Sequence, residues 1–177
     1  MQFTKFSLVL SGLLFSVIAF TACGDDDDMS VPVALGSSVT VTNTFQSTAF
    51  TNGDELAIEA LFQVPEGSLA ATANVGTAVE FSAYLLGLYD IDIDENSISF
   101  ELVAQAGGPT YGDLFRTLEA GTIDRYYLTF GEDQKVNGFS SNDPAVSLRI
   151  DSDRVLVVEI GEGFEFNPGA SFTITLN

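Results

Sequence analysis

The chain has 177 residues, with 25 acidic and 6 basic side chains, a formal net charge of −19 and no histidine. This length suits one domain that buries a core without disulfides, and the acidity excludes a nucleic-acid partner because phosphates would be repelled. The lack of histidine excludes serine–histidine catalysis and zinc or haem held by histidine.

The first 22 residues have the pattern of a secretory signal peptide. Lys5 provides an early positive charge, and residues 6–20 form an apolar run that only serine and glycine interrupt. A membrane-spanning helix needs about 20 predominantly apolar residues, and this run is shorter and is followed by acidic residues. The pattern therefore predicts export, with a retained N-terminal membrane helix as the alternative.

The only cysteine of the chain lies at the end of this segment. The stretch Phe20-Thr21-Ala22-Cys23 resembles the lipobox of bacterial lipoproteins. The resemblance implies that the signal is removed before Cys23 and that this cysteine carries fatty acyl chains such as palmitate. Lipidation accounts for a lone cysteine in an exported protein, and two or more acyl chains anchor a protein stably in a membrane.

Four aspartates follow the cysteine after one glycine: Asp25, Asp26, Asp27 and Asp28. The run resembles the acidic export signal of surface-exposed lipoproteins of the Bacteroidota, which implies an outer-membrane lipoprotein that faces the medium. It also predicts a solvated spacer, because like charges keep the chain extended. We therefore divide the chain into a signal peptide (1–22), a lipidated acidic tether (23–36) and one domain (37–177). No family resemblance is identified for residues 31–177.

The domain consists of short runs rich in β-branched and aromatic residues, separated by turn residues. Strands are predicted over residues 39–42, 56–62, 79–88, 98–104, 126–130, 146–150, 155–160 and 172–176. Asp151-Ser152-Asp153 predicts a tight hairpin, and residues 113–121 have the capping and spacing of one short helix. About eight strands with frequent turns predict an all-β fold, an antiparallel β-sandwich or jelly roll, with a closed barrel as the alternative.

The segment YDIDIDENSISFE, residues 89–101, is the strongest candidate for a functional site. Four acids fall at positions 1, 3, 5 and 12 of the calcium-loop template: Asp90, Asp92, Asp94 and Glu101. However, Glu95 stands where the template requires glycine. As a strand, the segment directs its aspartates to one face and its isoleucines to the other, and then turns at Asp94-Glu95-Asn96. Solvated acids are one interpretation, and a calcium ion that relieves their repulsion is the other.

The remaining acids give weaker signals. Asp151 with Asp153, and Glu132 with Asp133, are interpreted as solvated loop residues. Asp92 and Asp94 would lie about 7 Å apart, a spacing within the range of inverting glycosidases, but both project from one strand. The chain also lacks tryptophan for sugar stacking. We therefore predict a protein without enzymatic activity and keep a carboxylate-based hydrolase as the least favoured alternative.

The predicted function is binding of a glycan or another cell-surface protein at the outer-membrane surface. Tyrosines are the only aromatic side chains with a polar tip in this chain, so an exposed tyrosine patch would favour a glycan. The tyrosines are Tyr84, Tyr89, Tyr111, Tyr126 and Tyr127. A structural or accessory subunit of an outer-membrane assembly is the alternative and would expose an apolar patch. Calcium is the only cofactor considered.

Overall fold

The computed structural model of the chain describes residues 32–103 and 120–176, and this part folds mainly into β-strands. Two segments are single-turn helices, α1 (Ile58–Phe62) and α2 (Tyr84–Gly87). The strands are β1 (Ser38–Gln46), β2 (Glu55–Ala57), β3 (Ala71–Asn74), β4 (Phe81–Ala83), β5 (Tyr89–Asp94), β6 (Ser97–Leu102), β7 (Ile123–Phe130), β8 (Phe139–Ser141), β9 (Val146–Ser152), β10 (Val155–Ile160) and β11 (Ser171–Leu176). Within these ranges, no helix has the length and hydrophobicity to cross a membrane.

The strands form two antiparallel sheets that face each other. Sheet 1 has the order β2-β1-β7-β10-β9, and sheet 2 has the order β4-β5-β6-β11-β8. The long strand β1 also pairs with β3, which lies along residues 38–41 while β2 lies along residues 44–46. The predicted all-β antiparallel sandwich is therefore confirmed. The alternative of one closed barrel is wrong, because the strands divide into two sheets.

The core lies between the sheets because alternate residues of each strand point inward. Tyr126 of sheet 1 packs edge to face against Tyr89 and Phe100 of sheet 2, with ring centroids 5.6 and 5.4 Å apart. Phe100 stacks in turn on Phe172 of β11 at 4.7 Å. Aromatic pairs of this kind add roughly 0.5–1.5 kcal/mol each beyond the burial of their area. These rings therefore help to hold the two sheets together.

The predicted β5–β6 hairpin is confirmed, and the predicted β9–β10 hairpin is present with a later turn than Asp151-Ser152-Asp153, because Asp151 and Ser152 belong to β9. The β5–β6 pairing leaves Glu95 and Asn96 as its turn, and the β9–β10 pairing leaves Asp153 and Arg154. The described residues contain 11 strands, more than the predicted number, because short edge strands such as β3 and β8 lack a long alternating pattern. The helix predicted over residues 113–121 lies outside the described residues, except for a turn at residues 120–121.

Two of the predicted strands are wrong. Residues 56–62 contain the end of β2 and then α1, and residues 79–88 contain β4 and then α2. An uninterrupted apolar run does not by itself distinguish a buried strand from a short helix. Gln63 then ends α1 in the left-handed conformation, with φ of 55°. At two places where the sequence predicts one continuous strand, the chain therefore forms a short strand followed by a helical turn.

Packing onto the sandwich begins before the predicted domain boundary at residue 37. Val33 belongs to the hydrophobic core, and its N–H donates to the Glu95 carbonyl at 2.9 Å. The Ala34 N–H donates to Gln134 Oε1 at 3.0 Å. Residues 33–36 are therefore part of the domain, which shortens the predicted tether to residues 23–32.

Candidate functional site

The four acids of the predicted calcium site lie on the outer face of sheet 2. In the β5–β6 hairpin, Asp90 pairs with Glu101, while Asp92 and Asp94 pair with serines of β6. The two isoleucines between the aspartates are fully buried in the core. The predicted alternation of this strand is therefore confirmed, with the acids directed away from the core.

This shared face does not make the four acids a metal site. Side chains two residues apart on a strand are about 7 Å apart, whereas calcium binds each oxygen ligand at about 2.3–2.6 Å. Asp90 Oδ1 already accepts hydrogen bonds from the Ala83 N–H at 2.6 Å and from Ser82 Oγ at 3.2 Å. Within the described residues, no three acidic side chains are placed to hold a metal ion. The arrangement does not support the calcium hypothesis.

Glu80, just before β4, joins this acidic face and was not identified from the sequence. Its two carboxylate oxygens accept hydrogen bonds from the Ile93 N–H at 2.6 Å and from the Gly76 N–H at 2.7 Å. Burial, the negative charge of Asp94 and the neighbouring Glu80 raise the pKa of Asp92 above its ordinary value. Glu80 therefore links β5 to the segment that precedes β4, and its role is structural.

Three of the four acids in the weaker pairs lie in turns, and Asp151 lies near the end of β9. Asp151 and Asp153 line a surface cavity of about 350 Å³ together with Lys135 and Ile150. Arg149 forms an ion pair with Asp151, and both side chains are about half exposed. Glu132 and Asp133 are exposed beyond the end of β7. All four side chains are exposed, which agrees with solvated acids, but Asp151 belongs to strand β9 and not to a loop.

The tyrosines do not form an exposed patch. Tyr84, Tyr89 and Tyr126 belong to the core, with at most 6% of each residue exposed. Tyr127 is half-buried on the outer face of sheet 1 and donates a hydrogen bond to Glu55 Oε1 at 2.6 Å. Tyr111 lies outside the described residues. The exposed patch that would favour a glycan is therefore not formed by the described tyrosines, because strand alternation directs three of them inward.

A group of polar side chains surrounds Asp124 inside the sandwich, and we call it the core acid cluster: Asp124, Asn43, Tyr126, Tyr84 and Tyr89. Asn43 Nδ2 donates to Asp124 Oδ1 at 2.7 Å, and the Tyr126 hydroxyl donates to Oδ2 at 2.9 Å. Burial raises the pKa of Asp124 to about 6, although these two hydrogen bonds act in the opposite direction. The cluster therefore contains a carboxyl group that binds its proton more tightly than an ordinary aspartate does.

The core acid cluster was not identified from the sequence, although strand alternation provides a signal for it. Asp124 lies two residues before Tyr126, which begins the predicted strand over residues 126–130, so a longer strand would direct both inward. Asn43 likewise continues the inward positions Val39 and Val41 of β1. What the sequence does not provide is the pairing of Asn43 with Tyr126 in the β1–β7 register, which brings the cluster together.

The outer face of sheet 1 is organised by one arginine. Arg125 of β7 forms ion pairs with Glu55 of β2 and with Glu159 of β10, and its Nε lies 2.7 Å from Glu159 Oε1. Thr44 of β1 also donates a hydrogen bond to Glu55, at 2.6 Å. Val157 of β10 points to the same face and is fully buried there. The side chains of this face therefore form a packed layer, and Arg125 is largely covered.

The predicted lipid-attachment residue Cys23 and the predicted export signal, Asp25 to Asp28, lie outside the described residues. The structure therefore describes the domain that these residues would anchor. Comparison with protein-family models, curated proteins and solved structures found no match for the chain.

Proposed function

We propose that the chain is an outer-membrane lipoprotein, exposed at the cell surface, whose sandwich is a binding module without enzymatic activity. The observation that carries this proposal is the order of features in the chain. A signal-like segment ends at the only cysteine, four aspartates follow, and packing of the sandwich starts at Val33. This order is the one expected if Cys23 carries lipid and the acidic residues form a tether that precedes the folded domain.

Another cell-surface protein is the favoured partner. The burial of three tyrosines removes the feature that would have favoured a glycan. In contrast, segment 50–64 exposes large apolar side chains at an edge of sheet 1. We call Phe50, Leu56 and Val64 the apolar edge, and their exposed fractions are 64%, 37% and 39%. Exposed apolar side chains that form one patch are a common feature of protein interfaces, and we propose such a patch for these three residues, which are close in the chain.

The strand that carries Leu56 is also suited to partner binding. Strand β2 is the terminal strand of sheet 1 and pairs with β1 alone among the described strands. All three of its residues are exposed. An edge strand presents unpaired backbone groups to which another chain adds readily. This observation also favours the second candidate function, an accessory subunit of an outer-membrane assembly, because both functions use a protein partner.

Site-specific photo-crosslinking in living cells tests the proposal. A photoreactive amino acid in place of Leu56 should give a discrete adduct of higher mass, which mass spectrometry then identifies. The same amino acid in place of Thr129 is the matched control, because Thr129 is exposed on the outer face of sheet 1 away from β2. Adducts at both positions, or at neither position, would contradict a specific protein interface at the apolar edge.

A glycan array distinguishes the remaining binding alternative. The purified protein is applied in calcium and again in chelator, and the proposal expects no retained glycan under either condition. Selective glycan binding without a crosslink at Leu56 would reverse the choice of partner. Binding that chelator abolishes would also restore the calcium hypothesis for Asp90, Asp92, Asp94 and Glu101.

A further inference from the structure

Asp124 is a buried acid without a compensating cation in the described part of the sandwich. Its side chain enters the core from β7, and only 5% of the residue is exposed. Arg125 is its neighbour in the chain, but it faces the opposite side of sheet 1, where its charge is paired with Glu55 and Glu159. A buried carboxylate without a cation is costly, so the neutral, protonated acid is favoured.

The groups that face Asp124 come from several elements. Asn43 of β1 and Tyr126 of β7 bond to it directly, and its charge also acts on Tyr84 of α2 and Tyr89 of β5. Glu59 of α1 is the other acid that faces the cluster, through Tyr84, and its Oε1 accepts the Leu69 N–H at 3.3 Å. The cluster therefore joins both sheets and α2, and Glu59 of α1 acts on it through its charge.

Three polar atoms of the cluster have no hydrogen-bond partner among the described residues: the hydroxyls of Tyr84 and Tyr89, and Asn43 Oδ1. Each hydroxyl is a donor that an ionised Asp124 would attract, because a carboxylate accepts several hydrogen bonds. A protonated Asp124 keeps both neighbours, because Asn43 Nδ2 still donates to Oδ1 and the acid proton on Oδ2 can donate to the Tyr126 hydroxyl oxygen. The unpaired hydroxyls of Tyr84 and Tyr89 could therefore donate to Asp124 when it is ionised.

Tyr84 also lies in a strained part of the backbone. Ala83 and Leu85, on either side of it, have φ of 54° and 53°. This left-handed region is uncommon for residues with a side chain, so both residues hold the backbone in a strained conformation. The segment 83–88 therefore holds conformational strain beside a buried titratable group. A new hydrogen bond at Tyr84 would therefore act on a strained segment of the backbone.

We propose that Asp124 is an internal proton-binding site whose ionisation changes the conformation of segment 83–88. With the proton bound, the segment has the strained arrangement described above. When the proton leaves to solvent, the Tyr84 hydroxyl turns to donate to the carboxylate, and α2 moves with it. The conformation of the single-turn helix α2 thereby depends on the pH of the surroundings.

Nuclear magnetic resonance of the full protein, held in detergent micelles, tests this coupling between pH 4.5 and 8. The side-chain carboxyl carbon of Asp124 should titrate with a midpoint near 6. The backbone amides of residues 83–88 should move with the same midpoint, while amides of the distant β9–β10 turn should not. An ordinary aspartate midpoint for Asp124, or amides in 83–88 that stay constant, would overturn the proposal.

Three variants separate the possible causes of the amide shifts. Asp124→Asn should abolish the amide titration of segment 83–88, and Glu59→Gln should preserve it. Tyr84→Phe removes the hydroxyl alone, so Asp124 should still titrate while the amides of 83–88 no longer follow it. If Asp124→Asn does not fold, the other two variants decide the question. A response lost in Glu59→Gln, or retained in Tyr84→Phe, would refute the proposed route.

Discussion

Asp124 links the stability of the domain to pH through a single side chain. Burial raises its pKa from 3.8 to about 6, so between these values the folded state holds a proton that the unfolded state has released. The contribution of this group to stability is therefore complete below about pH 4 and is lost as pH rises through about 6. A shift of this size corresponds to about 2–3 kcal/mol, a large share of the stability of a typical domain.

The substitution Asp124→Asn tests this linkage. Asparagine cannot ionise, its Oδ1 can accept from Asn43 Nδ2, and its amide can donate to the Tyr126 hydroxyl oxygen. We therefore expect the free energy of unfolding of the variant to exceed that of the original protein by about 1–3 kcal/mol at pH 7.5. Near pH 4.5 the two proteins should differ much less. Urea denaturation at both pH values measures the difference.

The comparison has a control for the simple loss of one negative charge. Glu101→Gln removes an exposed carboxylate from the outer face of sheet 2, and its effect measures the relief of general repulsion among the acids. An advantage of Asp124→Asn that is equal at both pH values, or is matched by Glu101→Gln, would count against a buried proton site.

At the scale of elements, Arg125 connects strands that are not neighbours. Its ion pairs with Glu55 and Glu159 extend from β2 to β10 across the outer face of sheet 1, and only 9% of its side chain is exposed. Removal of the guanidinium would leave two carboxylates near each other without a cation. Because the side chains of Glu55 and Glu159 retain 37% and 23% exposure, solvent screens part of this cost.

We expect Arg125→Met to destabilise the domain by about 1–2 kcal/mol, since a covered charge pair costs more to break than an exposed one. Arg149→Met is the matched control on the same face. Its ion pair with Asp151 joins side chains that are 48% and 52% exposed, so its loss should cost less than about 0.5 kcal/mol. Urea unfolding in 0.15 M salt checks both values, and equal costs would show that Arg125 does not connect the strands.

The elements that the sequence predicts well are those in which period and turn chemistry agree. The β5–β6 hairpin alternates isoleucine with aspartate and turns at Glu95-Asn96, so its register follows from the pattern. The runs 56–62 and 79–88 are apolar without a clear period, and local pattern does not exclude a helical turn there. In the second run, the left-handed residues Ala83 and Leu85 depend on tertiary packing that no local signal encodes.

The candidate sites also divide into features that a local pattern predicts and features that depend on tertiary contacts. The outward direction of Asp90, Asp92 and Asp94 was predictable from alternation, whereas the role of Glu80 depends on contacts with Gly76 and Ile93 that no spacing rule specifies. The exposure of the tyrosines was left open by the sequence, because composition counts their polar tips but not the face of the strand that carries them. Burial of a side chain is a property of strand phase and sheet pairing together.

At the scale of the whole molecule, the proposed acidic tether and the domain carry charge of the same sign. Residues 23–177 contain all 25 acidic side chains and the domain packs from Val33 onward. An extended chain from Cys23 to Val33 would reach roughly 35 Å. If these residues form a tether, repulsion between Asp25 to Asp28 and an acidic domain would oppose its collapse onto the sandwich.

Replacement of the four aspartates separates their two proposed roles. A four-serine variant of Asp25 to Asp28 keeps the length and flexibility of the tether but removes its charge, whereas a four-glutamate variant keeps the charge. If the run is an export signal read by its acidity, the serine variant should be lipidated normally yet become resistant to protease added to intact cells. The glutamate variant should remain accessible, and Cys23→Ser should lose lipid labelling and membrane retention.

The amount of lipid-labelled protein in each variant decides how the protease result is interpreted. Equal labelling with loss of accessibility places the defect after lipid attachment, which is the step that a surface-export signal controls. Serine variants that stay as accessible as the original protein would leave the run with the role of a spacer alone. The domain would still face the medium in that case, and the determinant of its exposure would have to lie in the sandwich itself.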